Sequence, residues 1–373
     1  MLWAIFFGGL LALCLAGLFF LIYSVRKFRF VAALSRGSRA AGWAVGAAVI
    51  LLPSALIWAV WGSMNTIIVL LHLAVFWGIA ALVQWGVQKC RKKPLRRYYA
   101  GAAALLITVL YLGVGFVQAN HVWQKNYTLT TEKPVGSLRV ALLADSHVGT
   151  TFDGEGLAAH IDRIQAQKPD VVVITGDFVD EDSSRADMVA ACRSLRRLDA
   201  PYGVYFVFGN HDKGLYASGQ RGYSGDDLIA ELEKNGVTVL QDETVLLDDR
   251  FYLIGRQDAS EELDFGGSRA DIADLTGNLA QDKYAIVLDH QPRDYAAEAK
   301  RGVDLVLSGH THGGQMIPLM QFIRWFHIGD DNVYGMERRE NTDFIVTSGI
   351  SDWAIQFKTG CRSEYVIIEI RGK

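Results

Sequence analysis

The sequence predicts an α/β domain preceded by four transmembrane helices, and three observations carry that prediction. The first 120 residues contain no Asp or Glu and fall into four long apolar segments. From residue 137 onward, short apolar strands alternate with amphipathic helices, the pattern of a sheet with parallel strands. Five of those strands end in Asp, His or Asn, mostly beside Gly or Pro, and five of the nine histidines sit at these ends.

The apolar segments cover residues 2–25, 42–61, 66–87 and 99–117. Each meets the roughly 20 residues needed to cross a bilayer. The first has no basic residue ahead of it and too long an apolar run for a cleaved signal peptide. Eleven of the 37 Lys and Arg lie in residues 1–120, leaving 26 against all 40 acids in the remainder, a net of −14. Five of the eleven lie between the first two segments and six between the last two, with none in the turn Gly62-Ser63-Met64-Asn65. Basic loops stay cytoplasmic, so the reading is an integral membrane protein with its N terminus outside and everything after the fourth helix extracytoplasmic. His72, inside the third segment, is read as hydrogen-bonded between helices.

Three regions follow: a transmembrane domain at 1–120, a polar tether at 121–136, and an α/β domain at 137–373. In the last, strands are expected at 139–144, 171–175, 204–208, 237–240, 245–247, 251–254, 285–288, 305–307, 344–347 and 365–370. Helices are expected at 157–165, 185–198, 226–234, 271–279 and 294–300. Cys192 and Cys361 are read as free buried thiols, a disulfide between them being the alternative.

The chemistry lies just past the strands. After the first comes Asp145-Ser146-His147, then Gly176-Asp177-Phe178-Val179-Asp180, Gly209-Asn210-His211-Asp212, Asp289-His290, and finally Gly309-His310-Thr311-His312-Gly313-Gly314. Any one of these is an ordinary turn former. Residues i and i+2 on an extended backbone point the same way, so His310 and His312 can aim at one spot. Carboxylates and imidazoles together suit Mn²⁺, Fe²⁺ or Zn²⁺. There are ligands enough for two ions, and two ions about 3.5–4 Å apart form a clamp for in-line attack on phosphorus by hydroxide generated near neutral pH.

The ordered set Asp-x-His, Gly-Asp-x-x-Asp, Gly-Asn-His-Asp, a single His and Gly-His-x-His resembles the calcineurin-like metallophosphoesterase family over about residues 137–370. The form Gly-His-Thr-His-Gly-Gly-Gln is similar to its branch of membrane-associated bacterial phosphodiesterases and UDP-diacylglucosamine hydrolases. The resemblance implies a four-layer sandwich of two mixed β-sheets flanked by helices. It implies that Asp145, His147 and His312 hold one metal, that Asn210, His290 and His310 hold a second, and that Asp177 bridges both. His211 would face the substrate and protonate the leaving oxygen, with Asp212 orienting its ring; Asp180 would be structural.

The ligand set does not separate monoester, diester and pyrophosphate. The membrane anchor and the apolar stretch 316–326, nine of eleven residues apolar or Pro, lean toward a lipid or cell-envelope phosphoester. That stretch either packs into the domain or forms an apolar lip at the bilayer, with Arg324 meeting a phosphate and Trp325 and Phe326 meeting lipid. The alternatives are a signalling or scaffold protein with a vestigial metal site, and a UDP-diacylglucosamine-type pyrophosphate hydrolase. The acidic second half disfavours nucleic acid as a partner.

Overall fold

The computed structural model describes residues 2–95, 97–215, 221–318 and 329–373. It divides into two units, one of residues Met1–Phe116 with Ala354–Gln356, the other of Val117–Trp353 with Phe357–Lys373.

The first unit holds α1 (Leu2–Val25), α2 (Arg29–Leu34), α3 (Arg39–Arg91) and most of α4 (Tyr99–Asn120). Four separate spans were expected here. Among the described residues, two helices are long and apolar enough to cross a membrane, α3 and α4, and the described apolar part of α1 is Leu11–Val25. The expected second and third segments are one 53-residue element, interrupted where Gly62 adopts φ 79 and ψ 178. Only glycine enters that region without strain. Ile50 before the interruption and Leu73 and Trp77 after it share one apolar cluster with Leu21 of α1 and Ala104 of α4. Two points about a dozen residues either side of Gly62 can meet only if α3 doubles back there. Most of the exposed large apolar side chains among the described residues lie on these helices, Leu52, Leu82 and Val109 among them. His72 bonds its own helix, Nδ1 to the Ile68 carbonyl at 2.8 Å, and stacks on Tyr111. Its expected hydrogen bond between helices is therefore replaced by a bond within one helix and a ring contact to the next.

The second unit contains two mixed six-stranded sheets. The first runs β1 (Trp123–Thr130), β12 (Glu364–Arg371), β2 (Ser137–Leu143), β3 (Val171–Thr175), β4 (Val204–Val207), β5 (Val237–Val239). The second runs β10 (Gly335–Arg339), β11 (Thr342–Val346), β9 (Leu305–Ser308), β8 (Tyr284–Leu288), β7 (Phe251–Gly255), β6 (Glu243–Leu247). Strands β2 to β5 are parallel, as are β7, β8, β9 and β11, while β12 against β2, β6 against β7 and β10 against β11 are antiparallel.

Side-chain alternation makes four layers from these sheets. Val140 and Leu142 of β2 point inward to meet Ile286, Leu288, Leu305 and Leu307 of the other sheet. Ala141 and Leu143 point outward, beneath α5 (Leu157–Gln165), α6 (Arg185–Leu195) and α7 (Gly225–Lys234). On the far side Val287, Val306 and Phe344 lie beneath α9 (Ile272–Thr276) and α10 (Tyr295–Arg301). Strands buried on both faces must be apolar throughout, which is why β3 reads Val-Val-Val-Ile-Thr.

Three expectations are corrected here. The tether at 121–136 contains β1, which pairs in parallel with β12 from Trp123 opposite Glu364 to Thr130 opposite Arg371. As an edge strand it exposes alternate residues, so its Gln, Lys, Asn and Thr look like a linker in the sequence. The helix expected at 271–279 is the five-residue α9. Cys192 and Cys361 are free and buried, so the disulfide alternative falls away. Of the stretch 316–326, Met316 is buried and Ile317 exposed; residues 319–326, with Arg324, Trp325 and Phe326, lie outside the described residues.

Candidate metal centre

All seven candidate ligands stand just past the carboxyl ends of strands that lie side by side, where open α/β sheets bind ligands. Asp145 and His147 follow β2, Asp177 follows β3, Asn210 follows β4, His290 follows β8, and His310 and His312 follow β9. Five of the seven, namely Asp145, His147, Asp177, His310 and His312, have φ between 35° and 71°. Non-glycine residues avoid this left-handed region at a cost of about 1 kcal/mol or more each, and such strain collects at functional sites. The chain turns sharply at each strand end, and that turn brings side chains from separate strands to one place. Glycines permit the crowding: a Cβ on Gly176 would stand 2.7 Å from His290 Nδ1, one on Gly309 would stand 2.7 Å from Asp145 Oδ2, and one on Gly209 would collide with the Asp177 carboxylate.

Two groups result. Asp145, His147 and His312 offer ligand atoms within 4.8 Å of one another, and so do Asp177, His290 and His310. In the first, His147 Nε2 faces His312 Nε2 at 3.1 Å. His147 turns its other nitrogen to Asp180 Oδ2 at 3.2 Å. In the second, His290 Nδ1 donates to the Thr175 carbonyl at 2.7 Å, which leaves Nε2 as an acceptor. That lone pair points at Asn210 Oδ1, 3.2 Å away, and at Asp177 Oδ2, 3.1 Å away. His310 Nδ1 reaches the same Asn210 oxygen at 2.9 Å. Asp177 Oδ2 also lies 3.6 Å from His147 Nε2, so this one oxygen is near a ring nitrogen of each group.

The residues fit divalent cations. Acceptor atoms converge on two points, and one of the buried oxygens there, Asp145 Oδ2, has no hydrogen-bond partner among the described residues. Buried acceptors are ordinarily satisfied. The demand for positive charge is visible in the imidazoles. Burial opposes a charged His147, yet the Asp180 hydrogen bond and the Asp177 charge push its pKa up to about 9. Burial opposes a charged His290 too, and Asp177 still holds it well above its ordinary range. A proton and a metal compete for the same lone pairs.

His211 lies beside both groups. Its ring centroid is 5.2 Å from that of His147 and 5.2 Å from that of Trp353, and its backbone N–H donates to Asp177 Oδ1 at 2.9 Å. The expected orienting contact from Asp212 is corrected. Asp212 is turned toward backbone and accepts the N–H groups of Asp177, Phe178 and Gly209 at 2.8 Å and of Val179 at 3.1 Å. Glu181 takes the place at His211 Nδ1, with Oε2 at 2.8 Å. Burial and the neighbouring Asp177 charge push Asp212 up to about 7 despite those N–H groups. Asp212 therefore shapes the loop that carries Asp177, and Glu181 fixes the ring.

Sequence reasoning missed Glu181, Asp352, Trp353 and Lys358. Asp352 is fully buried, its Oδ1 3.5 Å from His312 Nδ1, 3.0 Å from Gln315 Nε2 and 3.7 Å from Lys358 Nζ. Burial raises its carboxyl to about 7, Lys358 opposing. Lys358, also fully buried, is held by the carbonyls of Ser348 and Ser351. Asp352, Trp353 and Lys358 belong to no motif and follow β11, which no local signal places beside β9. The one available signal was Glu181, adjacent to Gly-Asp-x-x-Asp.

Residues 138–314 match the calcineurin-like phosphoesterase family. An uncharacterized metallophosphoesterase of Campylobacter jejuni is 30% identical over 239 residues, 63% of this chain and 60% of that protein. A transmembrane protein with metallophosphoesterase domain from Bos taurus is 29% identical over 298 residues, 74% of this chain and 63% of that one. An uncharacterized metallophosphoesterase of Aquifex aeolicus is 29% identical over 275 residues, 72% of this chain and 99% of that one. The chain thus spans less than two thirds of the length of the first two relatives.

Proposed function

We propose that this chain, whose residues 138–314 match the calcineurin-like phosphoesterase family, is a membrane-anchored phosphoesterase that hydrolyses phosphodiesters or pyrophosphates with two divalent ions. The observation that carries the reading is the place of Asp177 Oδ2, near a ring nitrogen of each group. Asp145, His147 and His312 would hold one ion, Asn210, His290 and His310 the other, and Asp177 both. Bound there, Mn²⁺, Fe²⁺ or Zn²⁺ would supply Lewis acidity toward a phosphoryl oxygen and lower the pKa of water.

The protein's own part is positioning and proton transfer. Asp180 on His147 Nδ1 and the Thr175 carbonyl on His290 Nδ1 fix which nitrogen of each ring faces the centre. Glu181 accepts from the His211 Nδ1–H, and a second proton carried on Nε2 would serve the leaving oxygen as acid or donor. Trp353 over the same ring keeps it from swinging.

The finer reading has the chain cross the membrane four times, with α3 supplying two of the passes either side of Gly62, and the catalytic domain extracytoplasmic. The basic loops support that orientation. A substrate at the bilayer, a lipid or cell-envelope phosphoester, is the class this anchoring favours.

The test is hydrolysis of bis-p-nitrophenyl phosphate by the full-length protein in detergent, stripped of metal and resupplied with Mn²⁺, beside Asp177→Ala and His211→Ala. Activity restored by Mn²⁺ and lost in both variants is expected. A folded protein that takes up two equivalents of metal and hydrolyses neither this diester nor a phospholipid in vesicles would overturn the reading.

A further inference from the structure

Two cavities in the first unit lie next to each other and differ sharply in character. One, of about 500 Å³, is lined by Lys27, Arg29 and Arg97 together with Phe28, Tyr98 and Gln84. The other, of about 340 Å³, is lined by apolar side chains that include Ile79, Val83, Ala103 and Ile107. Gln84 and Leu95 line both. Gln84 directs its Oε1 to the free N–H groups that open α4, accepting from Tyr99 at 3.0 Å and Ala100 at 2.8 Å. Its Nε2 has no partner among the described residues and stays available as a donor at the boundary.

The three cations have nothing of their own unit to neutralise them. No Asp or Glu occurs in residues 1–120, and Ala354–Gln356 adds none. Lys27 lies over the rings of Tyr23 and Tyr98, at 4.8 and 5.6 Å, and its charge is otherwise unanswered among the described residues. The floor beneath is rigid: Trp77 is fully buried and donates from Nε1 to the Tyr98 hydroxyl at 2.7 Å, with Phe28 packed edge-on against both rings. The basic cavity also lies at one end of the helices. Gln84 is 22 residues from the Gly62 interruption, about 33 Å along a helix, the thickness of a bilayer core. Lys27 lies two residues past the end of α1, and Tyr98 precedes α4.

We propose that the two cavities together hold one glycerophospholipid with an anionic headgroup, the headgroup phosphate among Lys27, Arg29 and Arg97 and an acyl chain in the apolar cavity. Charge complementarity selects an anionic over a zwitterionic lipid, and the continuity of a basic and an apolar cavity selects a lipid over a free phosphate. Because the cavities are lined by α2, α3, α4 and the connections before α2 and before α4, an occupied site ties these elements together. The inference rests on the membrane-spanning part of the proposed function, and on no part of the hydrolytic reading.

The full-length protein in detergent is titrated with dioleoylphosphatidylglycerol and with dioleoylphosphatidylcholine, and bound lipid is counted by native mass spectrometry. One phosphatidylglycerol is expected per chain, retained at least fivefold over phosphatidylcholine and not displaced by millimolar inorganic phosphate. Lys27→Gln/Arg29→Gln/Arg97→Gln should abolish the preference, while Arg36→Gln/Arg39→Gln, which removes two cations outside the cavity, should keep it. Ala103→Trp, which fills the apolar cavity, should weaken retention with the cations intact. Equal retention of the two lipids, equal loss in both basic variants, or displacement by phosphate would overturn the site. Release of the protein from membranes by alkaline carbonate would overturn the membrane reading itself, and a result for lipid selectivity is read only on carbonate-resistant protein.

Discussion

The two ligand groups are built from the same residue types and supported in different ways. In the first, Asp145 and His147 are fully buried, and the rings are backed by carboxylates: Asp180 on His147 and Asp352 near His312. In the second, His290 is backed by the neutral Thr175 carbonyl, Asn210 contributes an amide oxygen, and the His310 side chain is 24% exposed with its nearest carboxylate, Asp330, 3.8 Å away. A carboxylate behind an imidazole raises its basicity and fixes its orientation. The first group should therefore hold its ion tightly as part of the fold. The second should exchange its ion and face the substrate.

The largest expected effect tests what the groups share. Asp177→Asn removes the oxygen near both, so metal content measured by mass spectrometry should fall by about two equivalents. Turnover should fall by more than the roughly hundredfold typical of losing an outer carboxylate. A loss of one equivalent would mean that Asp177 serves a single group. Next comes the asymmetry: chelator titration should remove one equivalent first, with activity, and the second only at higher chelator. His310→Ala should leave the tight equivalent in place, and simultaneous loss of both ions would break the comparison.

The carboxylates behind the first group should matter less than the ligands. Asp180→Asn and Asp352→Asn should each weaken the tight equivalent by about 10- to 100-fold, read by competition with a fluorescent chelator. Glu181→Gln should leave both equivalents bound and lower turnover by about tenfold, less than the roughly 10²–10⁴-fold a general acid itself contributes, because Glu181 only positions it. The deficit should grow for esters with poor leaving groups, since a better leaving group needs less help from His211. An equal deficit for all leaving groups would place Glu181 outside proton transfer.

The smallest effect concerns the support behind the second group. Asp289, next to His290, pairs with Arg256 at 2.8 Å, and Arg256 lies 3.4 Å from the fully buried Glu298. Burial and the Asp289 charge hold the Glu298 carboxyl well above its ordinary 4.5, Arg256 opposing them. The folded state thus binds this proton more tightly than the unfolded chain. Its contribution to stability is complete below pH 4.5 and is lost as pH rises through the folded value. Glu298→Gln should flatten the fall in unfolding midpoint with pH over that window. An unchanged pH profile would assign the fall to another group.

Much of the catalytic half was legible because its signals are local. Val-Val-Val-Ile-Thr declares a strand buried on both faces, and Asp-x-His or Gly-His-x-His declares its own turn. Asp212 was misread because adjacency to His211 in sequence suggests adjacency of side chains. The left-handed turns past the strands send the Asp212 carboxylate to backbone N–H groups and leave the ring to Glu181, 30 positions away. Trp123–Thr130 was misread because an edge strand carries polar residues on its open face and so looks like linker. In the membrane half, the interruption at Gly62 was legible as a turn.

The sequence by itself determined which chemistry the strand ends could do, because ligand type is a property of the residue: carboxylate, imidazole and amide oxygen in that order suit divalent ions wherever they meet. It also determined which half is apolar and uncompensated in charge, because those are sums over composition. Only the tertiary structure decided which candidate ligands lie together, that Asp177 stands near both groups, that Glu181 meets His211, and that Asp352 stands behind His312. Each of these depends on two strands or loops distant in sequence being set edge to edge by sheet order and register, and that placement is a property of the whole packed chain.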